Sequence, residues 1–191
     1  MKTSHAVLML TALAGSAPAL AQATIASEDL LTAVKQQDGA KLMELVNANG
    51  ANFLNTRGYD GSTALTLAVK AKNGQYTDYL LSRGADPNWP GVGNEPPLVI
   101  AARQNWAEGV DHLLVVGARP DVTNRQGETA LIVAVQLRNG PIVRRLLAGG
   151  ASADKTDSAA GLSARDYAKR DNRARAILTM IEQSRPAARK P

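Results

Sequence analysis

Residues 61–88 read Gly-Ser-Thr-Ala-Leu-Thr-Leu-Ala-Val-Lys-Ala-Lys-Asn-Gly-Gln-Tyr-Thr-Asp-Tyr-Leu-Leu-Ser-Arg-Gly-Ala-Asp-Pro-Asn, and the pattern returns twice at a step of 33. Ala68, Ala101 and Ala134 keep that step, as do Leu65, Leu98 and Leu131. So do the pairs beginning at Leu80, Leu113 and Leu146, and Gly84, Gly117 and Gly150, each followed by Ala. A fixed period of this length marks stacked supersecondary units rather than one irregular core. Within the unit, Thr63 is placed to cap a helix through its hydroxyl. Leu65, Ala68 and Val69 then share one helical face at i, i+3 and i+4. Asn73-Gly74 is expected to end that helix or form the turn after it. Tyr76 to Ser82 supplies a second helix with Tyr76, Tyr79 and Leu80 inward. Gly84 stops it in the left-handed conformation. A polar stretch rich in Gly and Pro leads onward. One such helix pair cannot bury both its faces, whereas stacked neighbours can.

These residues carry a resemblance. Gly-x-Thr-Ala-Leu-x-x-Ala at 61–68, Glu-Pro-Pro-Leu-x-x-Ala at 95–101 and Gly-Glu-Thr-Ala-Leu-x-x-Ala at 127–134 resemble the Gly-x-Thr-Pro-Leu-His-x-Ala signature of the ankyrin repeat. The endings at 80–88, 113–121 and 146–154 are similar to its Leu-Leu-x-x-Gly-Ala-Asp-x-Asn. The resemblance implies an all-α helix-turn-helix solenoid with extended or β-hairpin tips. It implies protein–protein binding through the tips and the concave face, and no reaction. Two departures stand out. The signature His is Thr66, Val99 and Ile132 here, so the turn must be braced differently. The turn glycine comes two residues late, at Gly39, Gly74 and Gly140, and the third unit has Gln104-Asn105-Trp106 in its place.

Weaker units flank the three strong ones, for about five in all. The first opens at Ser27-Glu28-Asp29, read as a capping Ser with acids at a helix N-terminus. Ala51 to Tyr59 is expected to be loosely held. The last opens at Gly161, and its second helix, Arg173 to Gln183, is expected to bury Ala176, Ile177, Met180 and Ile181 under a polar outer face. The organisation is a leader over 1–23 and a repeat domain over 24–184. Its units are 24–57, 58–90, 91–123, 124–157 and 158–184, and a basic tail follows at 185–191.

Met1 to Ala23 has the layout of a secretory signal peptide: Lys2, a short apolar stretch from Ala6 to Leu13, then Gly15, Pro18 and small residues. Cleavage after Ala21 or Ala23 fits equally. The stretch is too short for a span of ~20 residues, and no transmembrane segment is expected elsewhere. The expected destination is the periplasm of a Gram-negative cell.

The chain has 191 residues, no Cys and only two His. Disulfides, thiolate metal sites and Cys nucleophiles are excluded, and no P-loop, nucleophile-elbow or zincin motif occurs. No cofactor, metal or catalytic residue is assigned. From Leu162 to the end, eight basic residues face three acidic ones, so the charge of +5 is carried by the last unit and the tail together. Aromatics do not interleave these bases, so nucleic acid is not the expected partner. His112 is read as a packing residue, and Asp154 and Asp157 as solvated loop acids.

The expected partner is another protein, met by a chain that is monomeric when free. Mapped onto the tips and first helices that the resemblance implies, the partner-binding residues are Arg57, Tyr59, Asp60, Lys70, Trp89, Glu95, Arg103, Arg125, Gln126, Glu128 and Gln136. Asn55, Val92, Asn94 and Asn124 flank them on the tips, with Lys35 and Arg170 on further first helices. Trp89 is the leading anchor, since Trp, Tyr and Arg dominate interface hot spots. Its alternative is folding back over the neighbouring tip. Trp106, at a helix–helix turn, is read as packing. The expected role is a non-catalytic adaptor or accessory factor in the periplasm, as small bacterial ankyrin proteins support catalase. The alternatives are an immunity protein against a toxin delivered there, or a carboxylate-based hydrolase.

Overall fold

The computed structural model describes residues 19–184, with their side chains from residue 26 onward. The leader reading up to residue 18 and the basic tail at 185–191 lie outside the described residues.

Ten helices follow one another in pairs among the described residues: α1 (Ala19–Gln36) and α2 (Gly39–Asn49), α3 (Ala64–Lys70) and α4 (Gly74–Ser82), α5 (Pro97–Arg103) and α6 (Ala107–Val115), α7 (Ala130–Gln136) and α8 (Gly140–Ala148), α9 (Ala164–Arg170) and α10 (Arg175–Gln183). First helices pack on first helices along the chain, α1 on α3, α3 on α5, α5 on α7 and α7 on α9. Second helices α4, α6, α8 and α10 form a parallel layer. This is the all-α helix-turn-helix solenoid that the period implies. The tips between pairs carry only single antiparallel bridges, Thr123 with Thr129 and Thr156 with Ser163.

The period-33 positions explain the packing. Ala68, Ala101 and Ala134 are fully buried, and so are Leu98 and Leu131. Small Ala lets neighbouring first helices approach closely, while each buried Leu contributes about 1.5–3 kcal/mol. First helices α3, α5, α7 and α9 are seven residues long, and second helices α4, α6 and α8 nine. The shorter, closer layer lies on the inner side. Thr63, Thr129 and Ser163 cap α3, α7 and α9, each accepting from a backbone N–H at 3.2 Å. Gly84, Gly117 and Gly150 hold φ of 98°, 89° and 86°, as the helix stops require.

Two polar ladders tie unit to unit. Asn55 accepts from the N–H of Asp86 at 2.9 Å, Asn88 from that of Arg119 at 2.7 Å, and Asp121 from that of Ser152 at 2.8 Å. Along the second helices and turns, Asp78 holds His112, Arg145 reaches Asp111 at 2.7 Å, and Arg138 reaches Asp171 at 2.6 Å.

Several expectations need correction. Ser27 does not cap a helix: it is buried within α1, so Glu28 and Asp29 are not at a helix N-terminus either. Glu28 instead accepts the Tyr59 N–H at 2.6 Å. Gly74 neither ends a helix nor forms the turn. Asn73 caps α4 at 3.0 Å, and Gly74 is the first residue of α4. The left-handed turn residues are Gln37, Lys72, Asn105 and Arg138, with φ between 53° and 57°. Ala51 to Asn55 forms a 3-10 turn that buries Phe53 and Leu54. Ala176 is exposed, Met180 only half-buried, and Ala174 fills the space under α10 instead. In α4, Thr77 and Leu80 are the buried residues, and Tyr76 and Tyr79 only partly so.

Candidate partner-binding surface

A residue two positions after a buried helical Ala points about 200° away from it, toward solvent. Lys35, Lys70, Arg103, Gln136 and Arg170 hold that place after Ala33, Ala68, Ala101, Ala134 and Ala168. Each stands at or near the end of a first helix, so one row of polar side chains runs along the inner face.

Two adjoining hollows interrupt that face. One, of about 260 Å³, lies between α3, α5 and the tip at 92–95, with Thr66, Leu67 and Ile100 in its lining and Lys70 beside them. The other, of about 430 Å³, runs from that tip to Asn124, Gln126 and Glu128 of the next. Val92, Glu95 and Arg103 line both, so they form one groove across three units.

Arg103 is the hub. Its Nε donates to Glu95 at 2.8 Å and its Nη2 to Glu128 at 3.2 Å. Glu128 also accepts from Asn124 at 2.8 Å, which fixes the far wall. Burial works against the Arg103 charge, but the hydrogen bonds and charges of Glu95 and Glu128 outweigh it and hold its pKa above the ordinary value.

Two exposed aromatic residues, Tyr59 and Trp89, stand on successive tips. Arg57 lies over the Trp89 ring at 5.3 Å from its centroid. Trp89 remains 41% exposed, Tyr59 83% and Val92 57%. The two readings of Trp89 therefore combine, since it meets the neighbouring tip and still faces water. Asp60, nearby, is 3.5 Å from Lys35 and accepts the Ser62 N–H, which holds its carboxyl below the usual range.

Of the residues proposed from sequence, Lys70, Glu95, Arg103, Gln126 and Glu128 line the groove. Arg57 meets Trp89 across two tips, Tyr59 and Asp60 lie on the earlier of them outside the lining, and Arg125 and Gln136 are exposed beyond it. Sequence reasoning missed Thr66, Leu67 and Ile100. The signal available was the apolar character of Leu67 and Ile100 at helix positions not needed for the repeat signature. Asn124 does not project from its tip. It is buried, and its side chain accepts the N–H groups of Gln126 at 3.0 Å and Glu128 at 2.9 Å. Thr66 takes over the bracing of the missing His, accepting from Thr63 N–H at 3.0 Å and donating to Thr63 O at 3.0 Å.

Three other groups with chemical potential are structural in their placement. His112 pairs with Asp78 and stacks on Trp106 at 6.1 Å. Asp157 is not a solvated loop acid: it is buried and accepts the Tyr167 hydroxyl at 2.6 Å. Asp154 is exposed but held by Arg165 in a two-point contact at 2.7 and 3.2 Å. Among the described residues no three His, Cys, Asp or Glu side chains gather as a metal site, and no helix is long and apolar enough to cross a membrane.

Comparison with known families agrees with this geometry. A family model of ankyrin repeats in three copies matches residues 98–185, and a single ankyrin-repeat model matches residues 60–91. No curated protein matches the sequence.

Proposed function

Since the chain is an ankyrin-repeat protein, a class of protein–protein interaction module, we propose that it is a non-catalytic adaptor that engages one protein partner through the inner groove and the Trp89 tip. The observation that carries this reading is the continuity of the groove across three units, with exposed Val92 in its lining and exposed Trp89 on the same loop. A Trp presents up to about 250 Å². The 41% that Trp89 exposes is then roughly 100 Å², and covering it contributes about 2.5 kcal/mol. That is the scale of an interface hot spot. The groove is shallow and its carboxylates are tied to Arg103, which favours binding over a carboxylate-based hydrolysis.

The compartment we propose is the periplasm, reached through the leader at 1–23. Mass spectrometry of the protein released by osmotic shock is expected to find a mature chain starting at Gln22 or Thr24. A full-length chain retained in the cytoplasm would overturn the placement. For the adaptor role, a photo-crosslinking amino acid is placed at Val92 or Gln126 in living cells, with Arg144 on a second helix as the comparison. One dominant adduct from the groove positions and none from Arg144 is expected. Adducts from Arg144 alone, or none from either groove position, would overturn the reading.

A further inference from the structure

Asn is followed by Gly at three places, Asn49-Gly50, Asn73-Gly74 and Asn139-Gly140. In such a pair the backbone nitrogen attacks the preceding side-chain amide most readily, because glycine has no Cβ to hinder the approach. The attack requires both residues to leave the helical or capping geometry that holds them. The fold resists that departure unequally at the three sites.

Asn73 and Asn139 are helix caps. Their Oδ1 atoms accept the N–H groups of Tyr76 at 3.0 Å and Ile142 at 3.1 Å, and both residues are half-buried. Asn139 also donates through Nδ2 to Asn105. A Cβ on Gly74 would touch Trp106 at 3.8 Å, and one on Gly140 would touch Met180 at 3.6 Å, so each pair lies against the following unit.

Asn49 is placed differently, as the last residue of α2. Ala48, Asn49, Gly50 and Ala51 are all exposed, and a Cβ on Gly50 would meet no atom within 4 Å. Only the end of the helix holds this pair: Asn49 Nδ2 donates to Leu45 O at 2.8 Å, and the Gly50 N–H to Val46 O at 3.1 Å. Fraying helix ends open at little cost in free energy.

We propose that Asn49-Gly50 is a self-modifying site whose deamidation loosens the first unit. The Gly50 nitrogen loses its proton and bonds to Asn49 Cγ. The Cγ–Nδ2 bond breaks, and Nδ2 leaves as ammonia with that proton. Water then opens the resulting succinimide. Cleavage at Cγ leaves an aspartate at this position, and cleavage at the main-chain carbonyl leaves an isoaspartate. Nothing is oxidised or reduced, and water is the one co-reactant. The new carboxylate opposes the negative end of the α2 dipole. The isoaspartate also lengthens the backbone by one carbon just before Gly50, whose φ of 75° turns the chain toward buried Phe53 and Leu54.

The test incubates the purified protein in mildly alkaline buffer and follows it by tryptic mapping, which separates the three pairs into peptides 42–57, 73–83 and 139–144. Fragment masses are expected to place the Asn-to-Asp mass gain at Asn49 about tenfold faster than at Asn73 or Asn139, which must first give up a cap. In urea the three rates should converge. The converted chain, isolated by ion exchange, should show faster amide exchange in α2 and at 51–55, and unchanged exchange in α7 and α8. An Asn49→Ala variant, with its fold checked by circular dichroism, should keep its initial exchange in α2 through the same incubation. Gain first at Asn73 or Asn139, equal rates in the folded protein, no gain at Asn49, or a converted chain with unaltered exchange in α2 would each overturn the proposal.

Discussion

The Asp157–Tyr167 pair offers the sharpest test of how the last unit is held. The carboxylate accepts the Tyr167 hydroxyl at 2.6 Å and the N–H groups of Ala160 at 2.7 Å and Gly161 at 3.0 Å. A hydrogen bond to a charged group contributes about 1.5–3 kcal/mol. Ala160 and Gly161 are exposed, so water replaces much of their share. Asp157→Ala is therefore expected to cost about 3 kcal/mol, and Tyr167→Phe about 1.5 kcal/mol. Because one bond is common to both, the double variant should cost about 1.5 kcal/mol less than the sum of the two. The last unit packs only on its neighbour, through α7 on α9 and α8 on α10. The effect should appear there first, as roughly a 150-fold loss of amide protection in α9 and α10 for Asp157→Ala. The pH dependence follows from the shift. Burial pushes the Asp157 carboxyl up, but the Tyr167 hydroxyl and the N–H groups of Ala160, Leu162 and Gly161 outweigh it and hold the folded-state pKa below the usual range. The stabilisation is thus complete above the unfolded value of about 3.9 and is lost as pH falls through the folded one. The gap between wild type and Asp157→Ala should therefore be widest near neutrality and shrink below about pH 4. Additive costs within about 0.5 kcal/mol, or a gap independent of pH, would refute the reasoning.

Other perturbations separate packing from binding. Trp106→Ala is expected to lower stability in urea titrations by about 3–5 kcal/mol, because the ring is 7% exposed. Gly109→Ala should cost about 1–3 kcal/mol, since a Cβ there would lie 2.0 Å from Trp106 Cε3. Asn88→Ala removes the acceptor for the Arg119 N–H and should cost about 1–2 kcal/mol, read as faster exchange at the third unit's C-terminal turn. Lys72→Gly should raise the unfolding free energy slightly, by about 0.5 kcal/mol, because Lys72 sits at φ 53°.

The fold was legible because the period-33 positions report on packing directly. Leu65, Ala68 and Leu80 recur because each unit must bury the same face against its neighbour. What the period could not reveal was the role of short polar residues at the same step. Asn55, Asn88 and Asp121 look like ordinary turn residues, yet each accepts a backbone N–H 31 residues on. Only the stacked structure brings those groups together. The late glycine misled for a related reason. A glycine after a helix suggests the left-handed turn, but here Lys72 takes that strain and Gly74 opens α4. The groove was partly legible, since the first-helix ends follow from geometry once the stack is assumed. Its apolar floor was not, because Leu67 and Ile100 fall outside the repeat signature and only the placement of α3 beside α5 brings them to one hollow.

The two tryptophans show how a departure from the period can be assigned. Trp106 replaces the Asn that caps the second helix at 73 and 139. Its unit compensates within three residues, placing Gly109 where the neighbours have Tyr76 and Ile142. A Cβ at Gly109 would collide with the ring, so bulk added at one site is matched by bulk removed at the next, and the pair serves packing. Trp89 replaces positions that are Thr56, Val122 and Lys155 in the other units. The glycines beside it, Gly91 and Gly93, make no such room: a Cβ at Gly91 would meet Thr66, and one at Gly93 would meet open space. The stack holds together in the other units with Thr, Val or Lys there, so the repeat itself does not require an indole. With 41% of its surface still open, burial by the partner proposed above would add free energy that packing within the stack does not. Trp89→Ala should accordingly lower urea stability by up to about 3.5 kcal/mol, the roughly 150 Å² of indole already covered being the part at stake. The same variant should abolish most of the groove crosslink. A variant that unfolds while still crosslinking would place Trp89 with Trp106, among the residues that hold the stack.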